Sequence, residues 1–428
     1  MSRLAARGRR LTAYFLLYIV AGIPLGISAT IAATQLRRGG IGMDAIGTFV
    51  GLQYLPWGLC WLITPLINLI GSRRMGRRRS WIVFTQLGMI LGLLMISWVD
   101  PIEKFQTYSM MMLAISALAA IQNTAVNALA ENLLDERSGD RAHRLMMIGF
   151  YLGHGLGGAV LLAICTTLDR TDLAFTLSAL MIGIATVVVV LPMKEPMPWG
   201  RSAVRGKEVA RNWVGHLRSF ALSVCFSWRG LVSTVFALMP HGALMLGFAL
   251  QAAIAVDMGL SNHQISMLCL LTSLTAVIGT IAGSRLSKRR GSRSALTVYA
   301  LLTIVPTLLL AIAMLHHHWI FPADTSHASA APDALLHVFW AGSITHNLFG
   351  GLALGARAAV LTRTQVPPFV RTMTITLAGI VIGYSAIWQG NSIVQHGYPT
   401  TLFFDAAIGS LCILLLPLIR QSKDVAGR

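Results

Sequence analysis

Long apolar runs alternate with short polar segments along the whole chain, and this alternation predicts its elements. Each run is about 20 residues long, the length at which a helix crosses about 30 Å of hydrocarbon. At that depth a helix satisfies its own backbone hydrogen bonds. The pattern predicts an all-α polytopic membrane protein with twelve transmembrane helices, at residues 11–34, 46–70, 80–98, 108–133, 145–167, 172–192, 231–255, 264–286, 294–314, 335–361, 372–394 and 400–419.

The first run is longer than the apolar part of a cleavable signal, and another run follows it at once. We therefore expect residues 11–34 to form a first membrane helix. An even number of spans places both termini on the same side of the membrane.

Two polar segments mark the same joint in two copies of one unit. Residues 71–80 read GSRRMGRRRS, and residues 283–294 read GSRLSKRRGSRS, each between two apolar runs. Gly291 follows Gly76 by 215 residues, which is close to half of the 428-residue chain. Arginine-rich loops this short favour the cytoplasmic side.

A second pair of segments supports the duplication. GGIGMDAIG at 39–47 matches MGLSNHQIS at 258–266, with Gly40 and Gly259 separated by 219 residues. We therefore predict two pseudo-symmetric six-helix halves and a basic cytoplasmic linker between them, at 1–192, 230–428 and 193–229 respectively.

The composition is typical of a membrane protein, and the positions of the charged residues explain the positive net charge. Hydrophobic residues are 55% and charged residues 12%, and the mean hydropathy is +0.67, whereas soluble proteins carry about 25% charge. The net charge of +18 alone would suit nucleic acid. However, only Arg37, Arg38, Lys104 and Arg170 fall on the predicted outer side, Arg357 falls within a span, and the other Lys and Arg residues fall inside. This distribution predicts a bacterial inner-membrane protein with cytoplasmic termini and no nucleic-acid partner.

Catalytic and cofactor motifs are missing from the sequence. It has no Walker-type loop, no HExxH and no GxSxG, and its five cysteines show no paired spacing. We expect no enzyme activity, no cofactor and no metal, and we expect the histidines near residues 316–327 to be solvated. Two homologous halves suit alternating access, so the sequence favours a monomeric secondary transporter of a small molecule in the lipid bilayer.

Several motifs resemble a known family. Six plus six helices with Gly-Arg-rich loops after spans 2 and 8 resemble the major facilitator superfamily. The run GIPLG, GIGMDAIG, LPW, TPL and GRRRSW, followed by QNTAVNALAENLL, resembles a narrower group within residues 20–135. That group contains the AmpG-type muropeptide permeases and the RhtX and FptX siderophore importers.

The resemblance also implies charges that this chain does not have. A lysine, an aspartate and two further aspartates are expected where the chain has Cys60, Asn68, Asn123 and Asn127. Removing one member of a buried ion pair costs about 3–5 kcal/mol, whereas removing all members together can be nearly neutral. We interpret the change as the concerted loss of a charged network, which argues against proton coupling through these positions.

The resemblance leaves four hypotheses for function. The first is import of a ferric siderophore or a similar peptide-like metabolite, with a coupling proton. The second is an AmpG-like muropeptide permease. The third is a drug:proton antiporter, although Gly157-Gly158 is followed by Ala159 and not by the proline that such proteins show. The fourth is a membrane receptor or scaffold that transports nothing.

Polar residues inside the predicted spans are candidates for solute binding. Asn123, Asn127 and Glu131 are four residues apart, which places them on one face of one helix. His346 and Arg357 are three helical turns apart and lie on nearly one face. The predicted substrate-binding residues are Gln53, Asn123, Asn127, His154, His241, Gln251, His346, Asn347 and Arg357.

Some of these residues have structural alternatives. A membrane histidine can simply bridge two helices by hydrogen bonds. Arg357 can snorkel to the cytoplasmic surface, and Glu131 can pair with Arg141 or Arg144. Pro24 can bend the first span either as a packing kink or as part of a gate. The predicted gating residues are Pro24, Arg73, Gly76, Arg77, Glu131, Gly291 and Arg293.

Overall fold

The computed structural model is helical and has no β-strand among the residues that it describes. These residues are 3–72, 75–133, 136–193, 213–215, 218, 222, 231, 249–290, 292–322, 331–363 and 368–415. Side chains are described within them except at 3–7, 9, 68–69, 131–144, 288–293, 358–375 and 412–415.

The helices before the predicted linker are numbered in chain order, and four of them contain a change of helix type. They are α1 (Arg3–Gly26, Ile27–Ala32 and Ala33–Arg38), α2 (Met43–Leu59, Cys60–Ile63 and Thr64–Leu69), α3 (Arg77–Ile96), α4 (Phe105–Leu133), α5 (Glu136–Gly155, Leu156–Val160 and Leu161–Thr167) and α6 (Leu173–Ala185 and Thr186–Val190). The middle segments of α1 and α5 and the last segment of α6 are π-helical.

The helices after the predicted linker continue the numbering. They are α7 (Gln251–Asp257), α8 (Asn262–Arg290), α9 (Ser292–His316), α10 (Asp333–Arg363) and α11 (Pro368–Leu415). Helix α11 is interrupted at Gly397, whose φ of 82° and ψ of 172° are not helical.

Nine helices in the described part of the chain are long and apolar enough to cross a membrane. Two further predicted spans have helical counterparts without adding to this number. Helix α10 covers the predicted span 335–361, but His346 and Asn347 lower its hydropathy. Helix α11 covers 372–394 and the part of 400–419 up to Leu415 in one helix. The predicted span 231–255 lies mostly outside the described residues. The structure therefore confirms a polytopic helical membrane protein, whereas the number twelve stays a prediction.

Large apolar side chains lie exposed on the outside of the helical bundle. Phe84, Met95, Val188 and Ile278 are each more than half exposed. Soluble monomers rarely leave so many large apolar groups uncovered. We interpret this surface as the one that faces lipid, while the interior is filled by a core that includes Phe49, Tyr108 and Phe339.

The two turns matched in the sequence have the same backbone structure. Gly40 has a φ of 86° and Gly259 a φ of 82°, in the left-handed region that favours glycine. In both turns the residue after this glycine donates its amide N–H to the carbonyl oxygen five residues earlier, at 3.0 Å: Ile41 to Leu36, and Leu260 to Ala255. The same closure therefore ends α1 and α7.

Helices α8 and α10 approach each other at glycine. A methyl group added to Gly351 would lie 2.3 Å from the carbonyl oxygen of Ala276, and one added to Gly279 would lie 2.2 Å from that of Leu348. Small residues at such positions let membrane helices pack backbone against backbone. Gly350, the next residue on α10, has no atom within 4 Å of the same added group.

We predict that Gly351→Ala destabilises the protein by about 1–3 kcal/mol, because the methyl group forces α8 and α10 apart. Gly350→Ala is the matched control and should be neutral or slightly stabilising, since alanine is the better helix former. Thermal unfolding of the purified variants in detergent measures both effects. Equal melting temperatures for the two variants would contradict the close contact of α8 with α10.

Candidate functional site

A narrow cleft lies where helices from the two predicted halves meet. Helices α1 and α5 form one wall, and α7 and α8 form the other. Its lining residues are Ala29, Thr30, His154, Gln251, Ala252, Cys269, Thr272 and Ser273. In the described part of the chain the cleft is too narrow to admit a water molecule, so a solute could enter it only after the helices move apart.

The π-helical segments of α1 and α5 meet beside this cleft. Thr30 belongs to Ile27–Ala32, and a methyl group added to Gly158 in Leu156–Val160 would lie 2.5 Å from the Thr30 hydroxyl oxygen. π-Helical turns interrupt the regular backbone hydrogen bonds and occur frequently at functional sites. Pro24, a predicted gating residue, lies one turn before the α1 segment, and its carbonyl oxygen accepts a 2.9 Å hydrogen bond from the Ser28 hydroxyl.

Helix α8 is hydrogen-bonded to the second π-helical segment. The Ser266 hydroxyl donates to the carbonyl oxygen of Ala159 at 2.8 Å. Further along the same contact, a methyl group on Gly155 would lie 3.0 Å from Cβ of Ser273. The wall of the cleft is thus a direct contact between α5 and α8.

The lining of the cleft is polar but contains no Asp, Glu, Lys or Arg among the described residues. The Thr272 hydroxyl lies 3.1 Å from the carbonyl oxygen of Cys269 and 3.4 Å from Oε1 of Gln251. The Thr30 hydroxyl donates to the Cys269 thiol at 3.9 Å, which is a weak contact. Such a lining suits a solute that offers uncharged hydrogen-bonding groups.

Two predicted substrate-binding residues, His154 and Gln251, line the cleft. Both side chains are buried, with 5% and 2% of their surface exposed. His154 lies on α5 and Gln251 begins α7, so the structure brings together residues that are nearly one hundred positions apart in the sequence.

Three other predicted residues lie between α1, α2 and α4. Gln53 is fully buried and donates to the carbonyl oxygen of Phe49 at 3.1 Å. Asn127 accepts a hydrogen bond from the Tyr18 hydroxyl and thereby joins α4 to α1. Asn123 is half-buried, and its Oδ1 atom has no hydrogen-bond partner in the described part of the chain. None of the three is among the residues that line the cleft.

The predicted residues of α10 pack inside the protein. Nδ1 of His346 lies 3.3 Å from both the carbonyl oxygen of Thr303 and the hydroxyl of Thr307 on α9, which agrees with the bridging alternative. Asn347 donates to the carbonyl oxygen of Ser343 at 2.9 Å. Arg357 is only 4% exposed and interacts electrostatically with Tyr151 of α5. This burial does not fit the snorkelling alternative.

Several predicted residues lie outside what the structure describes. His241, Arg73 and Gly291 are outside the described residues, and the side chains of Glu131 and Arg293 are not described. The role predicted for each therefore stays a prediction.

Two predicted gating residues, Gly76 and Arg77, lie where the loop meets α3, and a further arginine in the first turn of α3 contacts α6. Gly76 has a φ of 94°, and Arg77 begins α3. The guanidinium of Arg79 donates to the carbonyl oxygen of Val190 at 2.9 Å, and also to that of Leu191. Arg79 therefore caps the end of α6. The sequence argument treated the loop arginines only as positive charges and did not predict this role.

A buried ion pair joins α1 to α7 at the end of the bundle predicted to face outward, which we call the outer end. Two guanidinium nitrogens of Arg37 donate to the two carboxylate oxygens of Asp257, one of them at 3.1 Å. Arg37 is 4% exposed and Asp257 2%. A third nitrogen of Arg37 donates to the carbonyl oxygen of Ile41 at 3.0 Å. This geometry is the bidentate one that makes arginine–carboxylate pairs strong.

Further hydrogen bonds extend the outer network to α11 and α8. The hydroxyl of Tyr398, just after the break at Gly397, donates to the Asp257 carboxylate. Arg38 donates to the carbonyl oxygen of Leu260 at 2.7 Å and to the side chain of Asn262 at 2.8 Å. The ends of α1, α7 and α11 are therefore held together. On α1 the network lies about two helical turns beyond Thr30, which lines the cleft.

Sequence reasoning counted Arg37 only as a charge on the outer side and did not consider Asp257 or Tyr398. A signal was nevertheless present. With the offset of 219 residues, Asp257 takes the place of Arg38 in the matched turn, so charges of opposite sign stand at equivalent positions.

Comparison with known proteins identifies the class of this protein. The family model described as "Acetyl-coenzyme A transporter 1" matches residues 11–170. The anhydromuropeptide permease of Escherichia coli K12 is 20% identical over 420 residues, which cover 96% of this chain and 79% of the permease. The putative transporter AmpG 4 of Rickettsia felis is 24% identical over 303 residues, which cover 68% of this chain and 70% of that protein.

Two further matches extend over nearly the whole chain. An uncharacterized protein of Haemophilus influenzae is 21% identical over 414 residues, 94% of this chain and 93% of that protein. The crystal structure of the nucleoside transporter NupG superposes with a TM-score of 0.61 at 11% identity, covering 96% of this chain and 99% of NupG. The chain therefore has the fold of a major facilitator transporter and resembles AmpG-type permeases. It is a membrane transporter and not an enzyme.

We predict that Arg37→Ala and Asp257→Ala each destabilise the protein by about 3–5 kcal/mol, because each leaves the other charge buried without its partner. The double variant Arg37→Ala/Asp257→Ala should lose much less than the sum of the two. Thermal unfolding of purified protein in detergent gives the double-mutant cycle.

The pair Arg170–Asp172 provides the control, since its side chains are 60% and 44% exposed. The corresponding cycle there should give about 0–1 kcal/mol. Additive effects at Arg37 and Asp257 would show that the two side chains do not stabilise the outer end as a pair.

Proposed function

We propose that this protein is an alternating-access secondary transporter that carries a muropeptide-like solute, a sugar linked to a short peptide, through the central cleft. One observation carries the proposal. The cleft lies between helices of the two predicted halves, and an ion pair joins α1 to α7 beyond one end of it.

The outer network is suited to opening and closing. The hydrogen bonds of Arg37 and Tyr398 to Asp257 all cross between α1, α7 and α11, so separating these helix ends removes them together. Water can replace such contacts when the ends part, whereas a covalent or fully apolar seal would offer no comparable exchange. The closed and open states can therefore differ by only a few kcal/mol, as a transport cycle requires.

The lining of the cleft supports the choice of solute. Thr30, His154, Gln251 and Thr272 offer uncharged hydrogen-bonding groups, and sugar hydroxyls and amide groups are their natural counterparts. Arg357 is a buried cation on α10 that could attract the carboxylate of a peptide. The relatives that are named for a solute include an anhydromuropeptide permease.

The siderophore hypothesis receives no support from the described residues or from the named relatives. The drug:proton antiporter and the non-transporting receptor are likewise without a specific observation in their favour. We further propose that the protein acts as a monomer in the bacterial inner membrane, with both termini in the cytoplasm. A coupling proton is also part of the proposal, and the uptake experiment examines it.

We predict that cells lacking their own importers take up labelled anhydromuropeptide when they produce this protein, and that a protonophore abolishes the uptake. Labelled ferric siderophore should stay at the background level. Uptake that survives the protonophore would indicate facilitated diffusion. Siderophore uptake without muropeptide uptake would overturn the proposed solute, and uptake of neither would favour the antiporter or the receptor.

The cysteines provide a test of the route that does not depend on the rate of transport. Cys269 lines the cleft, whereas Cys165 is buried between helices and is not among the lining residues. We predict that a variant with Cys269 as its only cysteine reacts with N-ethylmaleimide in membranes, and that anhydromuropeptide slows the reaction several-fold.

A variant with Cys165 as its only cysteine is the control, and the solute should not change its reaction. Protection of both cysteines alike would indicate a general stabilisation of the fold. If Cys269 were unprotected while uptake proceeded, the solute would have to pass elsewhere.

A further inference from the structure

One hydrogen-bond donor in the wall of the cleft is buried without an acceptor. Gln251 is 2% exposed, and its Nε2 atom has no hydrogen-bond partner in the part of the chain that the structure describes. The other end of the same amide has a partner: Oε1 lies 3.4 Å from the Thr272 hydroxyl, which also lies 3.1 Å from the carbonyl oxygen of Cys269. The amide is therefore fixed on one side and available on the other.

An amide donor left in this state is costly. Burying it without an acceptor costs about 1–3 kcal/mol relative to a paired donor. An apolar side chain would avoid this penalty, so a glutamine at the wall of a binding cleft points to an acceptor that arrives with the solute. Thr30 and His154 on the opposite wall leave the entering group between polar side chains from both predicted halves.

A second glutamine, Gln86, has a similar pattern of hydrogen bonds but lies away from the cleft. Comparing the two shows whether an effect comes from the unpaired amide donor itself or from its position in the cleft. Oε1 of Gln86 accepts from the Thr186 hydroxyl at 2.8 Å, and its Nε2 atom likewise has no partner among the described residues. Gln86 is fully buried between α3 and α6 and does not line the cleft. A donor without an acceptor is thus tolerated in packing. Of these two glutamines, Gln251 is the one that lines the cleft.

We propose that Gln251 recognises an amide carbonyl of the solute, such as the acetamido group of an amino sugar, by donating a hydrogen bond from Nε2. Thr272 is the positioning residue, because its hydroxyl holds Oε1 and turns the donor toward the cleft. The inference rests on the proposed function and adds to it the chemical group that this wall of the cleft selects.

We predict that Gln251→Ala and Gln251→Met raise the KM for anhydromuropeptide uptake by about 5- to 30-fold, which corresponds to about 1–2 kcal/mol. The maximal rate per molecule should change less than twofold. Gln251→Met keeps the volume of the side chain, so its effect does not depend on a cavity.

Thr272→Val should raise the KM by about 2- to 5-fold, because the glutamine loses its orientation, and Thr272→Ser should restore it. Gln86→Ala is the matched control. It should lower thermal stability without changing the KM. A KM change of equal size in Gln86→Ala and Gln251→Ala would show a structural effect and overturn the assignment.

A solute analogue identifies the acceptor. The N-acetylated and the deacetylated forms of the same anhydromuropeptide are compared in wild type and Gln251→Ala by protection of Cys269 from N-ethylmaleimide. We expect the variant to lose protection by the acetylated form and to bind the deacetylated form about as well as wild type does.

The outcomes separate this inference from the proposed function. If wild type neither takes up the muropeptide nor is protected by it, the proposed function fails. If wild type does both and the Gln251 variants keep the wild-type KM, only the recognition by Gln251 is overturned.

Discussion

The closed end of the bundle depends on one ion pair, formed by Arg37 and Asp257 where water is excluded. Two charges taken out of water must satisfy each other, and the bidentate contact together with the Tyr398 hydroxyl does this for the carboxylate. The pair fixes the ends of α1 and α7 relative to one another. These two helices contribute Ala29, Thr30, Gln251 and Ala252 to the lining of the cleft.

Different interactions hold the helices together around the cleft. Around it the helices meet at glycines and through hydroxyl-to-carbonyl contacts such as Ser266 to Ala159, with no charge in the lining of the described residues. Backbone contacts of this kind are short and can slide or separate without leaving a buried charge behind. The helices are therefore held by a charged contact at the outer end. Around the cleft they are held by uncharged contacts, which can shift as a solute binds.

Hydropathy alone predicted the helical class and the approximate position of most spans, because the period and length of an apolar helix in lipid are strongly constrained. It also selected His154 and Gln251, two polar residues that line the cleft. It could not tell these from Asn127 and His346, which are equally polar but do not line the cleft and contact Tyr18 and α9 instead. Whether a polar side chain lines the cleft depends on which helix packs opposite it, and a single sequence does not show how the helices pack.

The matched turns that end α1 and α7 have a consequence for symmetry. Their backbones follow the same path, yet one presents Arg38 where the other presents Asp257. With two copies of the first turn, Arg38 would take the place of Asp257 and would face Arg37, so that two cations would meet. With two copies of the second turn, Val256 would take the place of Arg37, and Asp257 would lose its partner. The ion pair therefore requires two turns that share a backbone and differ in their side chains.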